Sequence, residues 1–200
     1  SKSKGKLESE KELLDDIKGG SRDAMHRLYE RYVGYAMAVA LRYVPLRDDA
    51  EDVVQDSFIK VFSAIGGFSY RGEGSLKGWL LRIVVNEAIS FVRQQTRFSV
   101  VDEFPDNVEE EEPEVERIPP SVLTRMIGEL PDGYRLVLNM YVFEQKSHKE
   151  IARQLGVKES TSASQYLRAK KLLARKIKDY LEHGEEDLGL NINHINEKKQ

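Results

Sequence analysis

The chain has 200 residues, a net charge of −3 and no cysteine, with 40% hydrophobic and 32% charged residues. The lack of cysteine excludes a disulfide framework, a thiolate zinc site and a cysteine nucleophile. No apolar run approaches the roughly 20 residues of a transmembrane helix, and the polar start of the chain lacks a signal-peptide core. We therefore expect one or two small domains in the cytoplasm, without direct membrane insertion.

A first helical domain is predicted over residues 7–98. Its first helix covers 7–18, Ser21 can cap the second, and Pro45 bounds that second helix. The third helix has the cleanest apolar period, through Ala50, Val53, Val54, Phe58, Val61, Phe62 and Ile65. A loop over 68–74 leads to a fourth helix over about 75–97, in which we expect Trp79 to be a core residue.

Residues 99–118 are predicted to form an acidic, flexible linker. Nine carboxylates lie between Asp102 and Glu116 with no lysine or arginine, and Pro105 and Pro113 interrupt them. Like charges repel and prolines break helices, so this composition favours an extended tether. The polar residues 184–200 are predicted to be a loosely ordered tail.

A second helical domain is predicted over residues 118–183. One helix lies near 121–129, and the next begins at Pro131 and is expected to bury Tyr134, Val137, Leu138 and Tyr141. Ser147 and Glu150 then fit a capping box, and Gly156 can end that helix in the left-handed conformation. A long helix over about 158–180 follows.

This last pair of helices is typical of a helix-turn-helix. Residues 147–178 carry nine lysines and arginines against two glutamates, a net charge of +7 within an acidic protein. Such local charge favours a helix that enters the major groove of DNA. The alternative is a two-helix corner with a solvated basic face.

Together these parts resemble the extracytoplasmic-function (ECF) group of the sigma-70 family, bacterial factors that direct core RNA polymerase to promoters. The resemblance covers about residues 10–98 and 118–180. It rests on the segments 48–62, 79–86, 130–135 and 150–152, which are similar to the polymerase-binding helix, the −10-element helix and the −35-binding domain. It implies an all-α fold with a region 2-like bundle and a region 4-like helix-turn-helix.

The resemblance also implies the residues of three binding surfaces. Polymerase contacts are expected from Asp48, Asp49, Glu51, Asp52, Gln55, Asp56 and Phe58. Contacts to the −10 element are expected from Tyr70, Arg71, Lys77, Arg82, Asn86, Arg93 and Arg97. Contacts to the −35 element are expected from Lys149, Lys158, Ser160, Thr161, Ser164, Gln165, Arg168 and Lys171.

Each set suits its partner chemically. The acidic helix can meet basic groups of the polymerase, with Gln55 supplying a directional hydrogen bond. Asn86 can both donate to and accept from an unpaired base. Arg168 can pair with guanine and Gln165 with adenine, whereas the lysines position phosphates. Ala163 and Gln165 depart from the basic residues usual there, so the family's usual −35 sequence is not assigned to this chain.

No catalytic or metal-ligating pattern accompanies these features. The four histidines are too scattered for a metal site, and no phosphate-binding glycine loop occurs. We expect a protein that is not an enzyme and needs no cofactor. Its partners would be core RNA polymerase, promoter DNA and, by the resemblance, an anti-sigma factor. The alternatives are a dimeric helix-turn-helix regulator without polymerase and a helical adaptor that binds only protein.

Overall fold

A computed structural model describes residues 7–96, 98, 112 and 114–184 of the chain. The all-helical prediction is confirmed, because these residues form eight α-helices and no strand. They divide into two compact units, Ser1–Gln95 and Thr96–Gln200. Most of the acidic segment predicted as a linker, and the tail beyond Gly184, lie outside the described residues.

The first unit is a bundle of four helices. They are α1 (Glu10–Lys18), α2 (Arg22–Tyr43), α3 (Arg47–Ala64) and α4 (Ser75–Gln95), with a 3₁₀ turn at Ile65–Gly67. Helices α2, α3 and α4 pack on one another, and α1 packs on α2. Leu28, Val61, Leu80 and Val84 are fully buried between them. Burial of these apolar side chains is the main stabilising term of the bundle.

Local sequence sets the helix ends of this unit. Ser9 and Glu12 form a capping box at the start of α1, with the Ser9 hydroxyl accepting from the Glu12 amide at 3.1 Å. The hydroxyl of Ser21 accepts from the Ala24 amide at 3.1 Å, which confirms the predicted cap of α2. Each cap satisfies amide groups that have no partner within their own helix.

The second unit is built around one long helix. Its elements are a 3₁₀ turn (Val115–Arg117), α5 (Pro120–Gly128), α6 (Asp132–Leu138), a π-turn (Asn139–Phe143), α7 (His148–Leu155) and α8 (Glu159–His183). Helices α5, α6 and α7 all contact α8. The core contains Met126, Leu130, Leu138, Leu173 and Ile177.

The helix-turn-helix is formed by α7 and α8, as the sequence predicts. Ser147 and Glu150 make the capping box, with the Ser147 amide donating to the Glu150 carboxylate at 2.9 Å. Gly156 ends α7 at φ 68° and ψ 35°, a left-handed conformation that glycine adopts at little cost. The turn therefore depends on one residue without a Cβ.

Some residues that the sequence assigns to the core are not fully buried. Tyr134 is half-buried against the core of the second unit. Trp79 is only half-buried, because its ring packs on Phe68 at the edge of the first unit, with ring centroids 4.9 Å apart. Tyr141 is 37% exposed, because α6 ends at Leu138 and the π-turn carries the tyrosine outward. There Tyr141 stacks on His148 with a centroid distance of 4.6 Å.

Candidate protein- and nucleic-acid-binding surfaces

One face of α3 combines acidic, amide and apolar side chains. Asp48, Asp52, Gln55 and Ile59 recur at intervals of three or four residues, so they lie along one side of the helix, here called the α3 stripe. All four are exposed. Ile59 is 64% exposed, and Leu46, just before the helix, is 68% exposed. This face therefore offers a protein partner both apolar surface to cover and carboxylates that attract basic groups.

The other predicted polymerase contacts have different environments. Glu51 and Asp56 are exposed, and Glu51 accepts from Arg47 at 3.1 Å. Asp49 is half-buried in the first turn of α3, where the helix dipole favours an acid. Phe58 is only 3% exposed, and its ring meets Tyr29 edge-on at 4.9 Å. The structure corrects its predicted role, since Phe58 supports α3 from within and cannot touch a partner.

A shallow pocket opens between the loop over 68–74 and the start of α4. Its walls are Gly67, Phe68, Ser69, Arg71, Ser75, Gly78, Trp79 and Arg82. The pocket thus combines aromatic surface, hydroxyl groups and two guanidinium groups, which are the groups that hold an unpaired base and its phosphate. Sequence reasoning placed Arg71 and Arg82 here but treated Trp79 as core and did not single out Phe68.

A second part of the predicted −10 set extends from the pocket along α4. Arg82, Asn86 and Arg93 are exposed and fall on one side of the helix by their spacing. Lys77 lies off this side, and its ammonium group sits 3.5 Å from the ring centroid of Tyr35 on α2. Tyr70 is half-buried in the loop. Arg97 lies outside the described residues.

The loop that forms the pocket is held at both ends by α1. The Lys18 ammonium group donates to the Phe68 carbonyl at 2.7 Å. At the other end, the buried carboxylate of Glu10 accepts from the amides of Gly74, Leu76 and Lys77, at 2.8, 3.1 and 3.0 Å. Sequence reasoning missed these contacts, because the partners are at least 50 residues apart.

Glu10 has a fourth partner inside the bundle. The Tyr32 hydroxyl donates to it at 2.9 Å. Burial and this hydrogen bond hold the pKa of the Tyr32 hydroxyl well above its usual range. In the reverse direction, the Glu10 amide donates to the carboxylate of Glu73 at 3.1 Å, and Glu73 also pairs with Arg31 at 3.2 Å. The carboxylate of Glu10 on α1 therefore binds amides at the start of α4, and the carboxylate of Glu73, just before α4, binds an amide at the start of α1.

One side of α8 carries most of the predicted −35 set. Ser160, Ser164, Arg168 and Lys171 follow one another at three or four residues, and Thr161 lies beside them. Ser160 and Lys171 are exposed, whereas Thr161, Ser164 and Arg168 are half-buried. We call these five residues the α8 stripe. Hydroxyl groups and a guanidinium group in this order are suited to base edges and phosphates.

Gln165 lies beside the α8 stripe but is buried. It is 6% exposed, and its amide oxygen lies 2.8 Å from where a Cβ of Gly133 would stand. The ring of Phe98 lies 3.2 Å from the same point. The prediction that Gln165 reads adenine is therefore corrected, because the side chain is packed against α6 within its own unit.

Basic residues surround the α8 stripe. Lys149 in the first turn of α7 and Lys158, which precedes α8, are exposed as predicted for phosphate contacts. Two other lysines of α8 are engaged within the unit. Lys170 pairs with Glu112 at 2.7 Å, and Lys176 pairs with Glu129 at 2.9 Å. Exposed cations thus stand near the turn, at Lys149, Arg153 and Lys158, and along α8, at Lys171, Arg175 and Lys178, where they can meet a polyanion.

Other binding chemistry is not evident in the part of the chain that the structure describes. No helix within it has both the length and the apolar character that a membrane span requires. The same residues contain no group of three or more histidine or acidic side chains placed to hold a metal ion.

Two sequence models of one family match the chain. Sigma-70 region 2 matches residues 28–98, and Sigma-70, region 4 matches residues 121–173, so together they cover more than half of the chain. The first match includes the α3 stripe and the pocket, and the second includes α7 and most of α8. The α3 stripe, the pocket and the α8 stripe therefore all lie within the two matched regions.

The chain is also similar to the ECF RNA polymerase sigma-E factors of Haemophilus influenzae and Escherichia coli strain K12. It is 29% identical to each, over 82% of its own length and 93% and 92% of theirs. Two solved structures are similar as well. CnrH in complex with the cytosolic domain of CnrY is 24% identical, with a TM-score of 0.42 over 83% of this chain and 95% of that one. The RsbN-BldN complex is 20% identical, with a TM-score of 0.37 over 81% and 97%. The protein belongs to the ECF group of the sigma-70 family of transcription initiation factors.

Proposed function

We propose that this protein binds core RNA polymerase through the α3 stripe, captures the melted −10 element in the pocket at the start of α4, and reads the −35 element with the α8 stripe. It acts in the cytoplasm, without a cofactor and without catalytic chemistry of its own. Nucleotide addition belongs to the polymerase, and this chain selects where it starts.

The observation that carries the proposal is the α3 stripe. Three polar side chains and Ile59 are exposed on one helix face. A regulator that acted as a dimer on DNA alone would have no use for this surface, whereas a sigma factor must bury such a surface against polymerase. The two carboxylates at the N-terminal end of the stripe favour fast encounter with a basic partner, and the amide and the apolar group that follow them favour slow dissociation.

The two proposed DNA-binding surfaces, the pocket and the α8 stripe, recognise different forms of promoter DNA. The pocket offers stacking surface and cations to an unpaired base, which double-stranded DNA does not present. The α8 stripe belongs to a helix-turn-helix, whose second helix enters the major groove of a duplex. The family resemblance further implies an anti-sigma factor that covers these surfaces when transcription is not required.

Gel filtration with core RNA polymerase tests the first step. The wild-type protein is expected to co-elute with bacterial core polymerase, and Gln55→Ala is expected to weaken this association, because the amide lies within the α3 stripe. Absence of co-elution, with the same polymerase shown to bind another sigma factor, would favour the dimeric regulator. Lys171→Ala is the matched control, since it removes an exposed side chain from the other unit.

Run-off transcription on fragments selected from genomic DNA tests the second step. Arg168→Ala is expected to lower selectivity among promoters by about tenfold, because a bidentate arginine contact is worth about 1–3 kcal/mol of discrimination. Lys149→Ala should weaken all promoters about equally and reduce the dependence on salt. If Arg168→Ala and the wild type select among promoters equally well, the α8 stripe does not recognise bases through Arg168.

A further inference from the structure

We infer that Glu10 is a positioning residue for capture of the −10 element, acting through the first turn of α4. This inference rests on the proposed function of the pocket. Glu10 lies on α1, outside the pocket, and is 1% exposed. It therefore cannot meet DNA, and any effect it has on promoter recognition must pass through the groups it holds.

Three of the four hydrogen bonds that Glu10 accepts come from the start of α4, and the fourth comes from Tyr32 on α2. One carboxylate oxygen accepts from the amides of Gly74 and Leu76, and the other accepts from the Lys77 amide and the Tyr32 hydroxyl. The three amides belong to the first turn of α4 and the residue before it. A buried acid thus replaces the missing helical partners at this helix start, where the dipole favours negative charge.

The first two turns of α4 form one wall of the pocket. Ser75, Trp79 and Arg82 line the pocket from the first two turns of α4. On the loop side, the Arg71 amide donates to the Ser75 hydroxyl at 3.1 Å, and that hydroxyl donates to the Gly72 carbonyl at 2.6 Å. A shift of this first turn therefore moves both walls of the pocket together.

Helix α1 holds the loop at both ends. Lys18 binds the carbonyl of Phe68, and Glu10 binds the amide of Gly74, so the loop over 68–74 is anchored at both ends by one helix. Gly72 and Gly74 have φ values of 111° and 94°, which lets the chain turn sharply without strain. A loop with such freedom needs outside anchors to present one geometry to a ligand, and a recognition site must be held within about 0.5 Å.

Glu10→Gln is the substitution that tests this. It keeps the size of the side chain but replaces one acceptor oxygen with a donor group, which then faces donors that it cannot satisfy. Buried donors left without acceptors are costly, so the first turn of α4 is expected to loosen while α3 stays in place. Amide hydrogen exchange should show faster exchange at Gly74, Leu76 and Lys77 in the variant.

The functional readout is sequence selection by the holoenzyme. Wild-type and variant proteins, each bound to core polymerase, are mixed with fork-junction DNA whose non-template −10 segment is single-stranded and randomised. The bound DNA is then sequenced. We expect Glu10→Gln to lower the enrichment of the preferred −10 sequence by about tenfold and to leave core polymerase affinity within about twofold of wild type.

Val61→Ala is the matched control, because Val61 is fully buried in the same unit but lies on α3. It lowers stability without removing any of the hydrogen bonds that Glu10 accepts, so it should leave the enrichment unchanged. If Glu10→Gln and Val61→Ala lose polymerase binding and enrichment in parallel, Glu10 is only a structural residue and the inference is overturned. Unchanged enrichment with Glu10→Gln overturns it as well.

Two further results keep the test decisive. If Glu10→Gln does not fold, Tyr32→Phe removes one of the four hydrogen bonds and should lower enrichment about threefold. No change with Tyr32→Phe would then overturn the inference. If the wild-type protein neither binds core polymerase nor enriches any −10 sequence, the proposed function fails and this inference fails with it, whatever the variants do.

Discussion

Replacing Ile59 with alanine tests how the α3 stripe contributes to polymerase binding. Fully burying an isoleucine side chain gains about 1.5–3 kcal/mol. Because 64% of Ile59 is exposed in the free protein, a partner that covers it gains about 1–2 kcal/mol. Alanine retains part of this area, so the loss is about 1 kcal/mol, which corresponds to an affinity about fivefold weaker.

The same substitution should not destabilise the free protein. Ile59 makes few contacts that truncation could remove, and alanine is a better helix former than isoleucine. Val61→Ala, two residues further along α3, is the opposite case. Val61 is fully buried, so its truncation should cost about 2 kcal/mol of unfolding free energy and leave the affinity of the folded protein unchanged.

The assay is a titration of fluorescently labelled protein with core RNA polymerase at fixed salt concentration, beside denaturant unfolding of each free variant. An affinity of Ile59→Ala equal to that of the wild type would refute the view that this stripe is buried on docking. A fall in both affinity and stability would show that Ile59 supports the fold instead. Only reduced affinity with unchanged stability agrees with the proposed role.

Two other predictions follow from Tyr32 and Gly156. The pKa of Tyr32 is raised in the folded state, so the unfolded chain loses this proton first and unfolding becomes easier as the pH rises above about 10. Denaturant unfolding between about pH 8 and 11 should give a steeper loss of stability for wild type than for Tyr32→Phe, and parallel curves would contradict this. Gly156→Ala places a Cβ at φ 68° and should cost about 1 kcal/mol or more of unfolding free energy, measured by denaturant unfolding. Gly66→Ala is its control, since Gly66 has open space around its Cα and no positive φ, and a loss as large at Gly66 would rule out backbone strain as the cause.

The helices and their ends were predictable because their causes are local. The cap at Ser21, the capping box of Ser147 with Glu150 and the left-handed Gly156 each involve residues within a few positions of one another. The apolar period of α3 likewise predicted its buried face, since a helix places every third or fourth residue on one side. For the same reason, every member of the α8 stripe could be named from the sequence, and only Gln165 was added to it wrongly.

The errors concern which side of a surface helix meets the rest of its unit. The apolar period of α3 already placed Phe58 on the buried face, and only the family resemblance assigned it to the polymerase-binding surface. Gln165 stands next to exposed positions, so helical spacing alone allowed it to face a partner. Phe58 is covered by Tyr29 of α2, and Gln165 lies against Gly133 of α6. These neighbours are distant in sequence, so no local pattern reports them.

By itself, the sequence determined the helical class, the helix-turn-helix, the concentration of positive charge near α8 and the resemblance to sigma factors. Each of these follows from residue type and short-range spacing. Only the tertiary structure decided that Ile59 joins the α3 stripe, that Trp79 lines the pocket, and that Glu10 holds the start of α4. Those roles depend on contacts between residues that are far apart in the sequence, and such contacts are set by the packing of the helices in each unit.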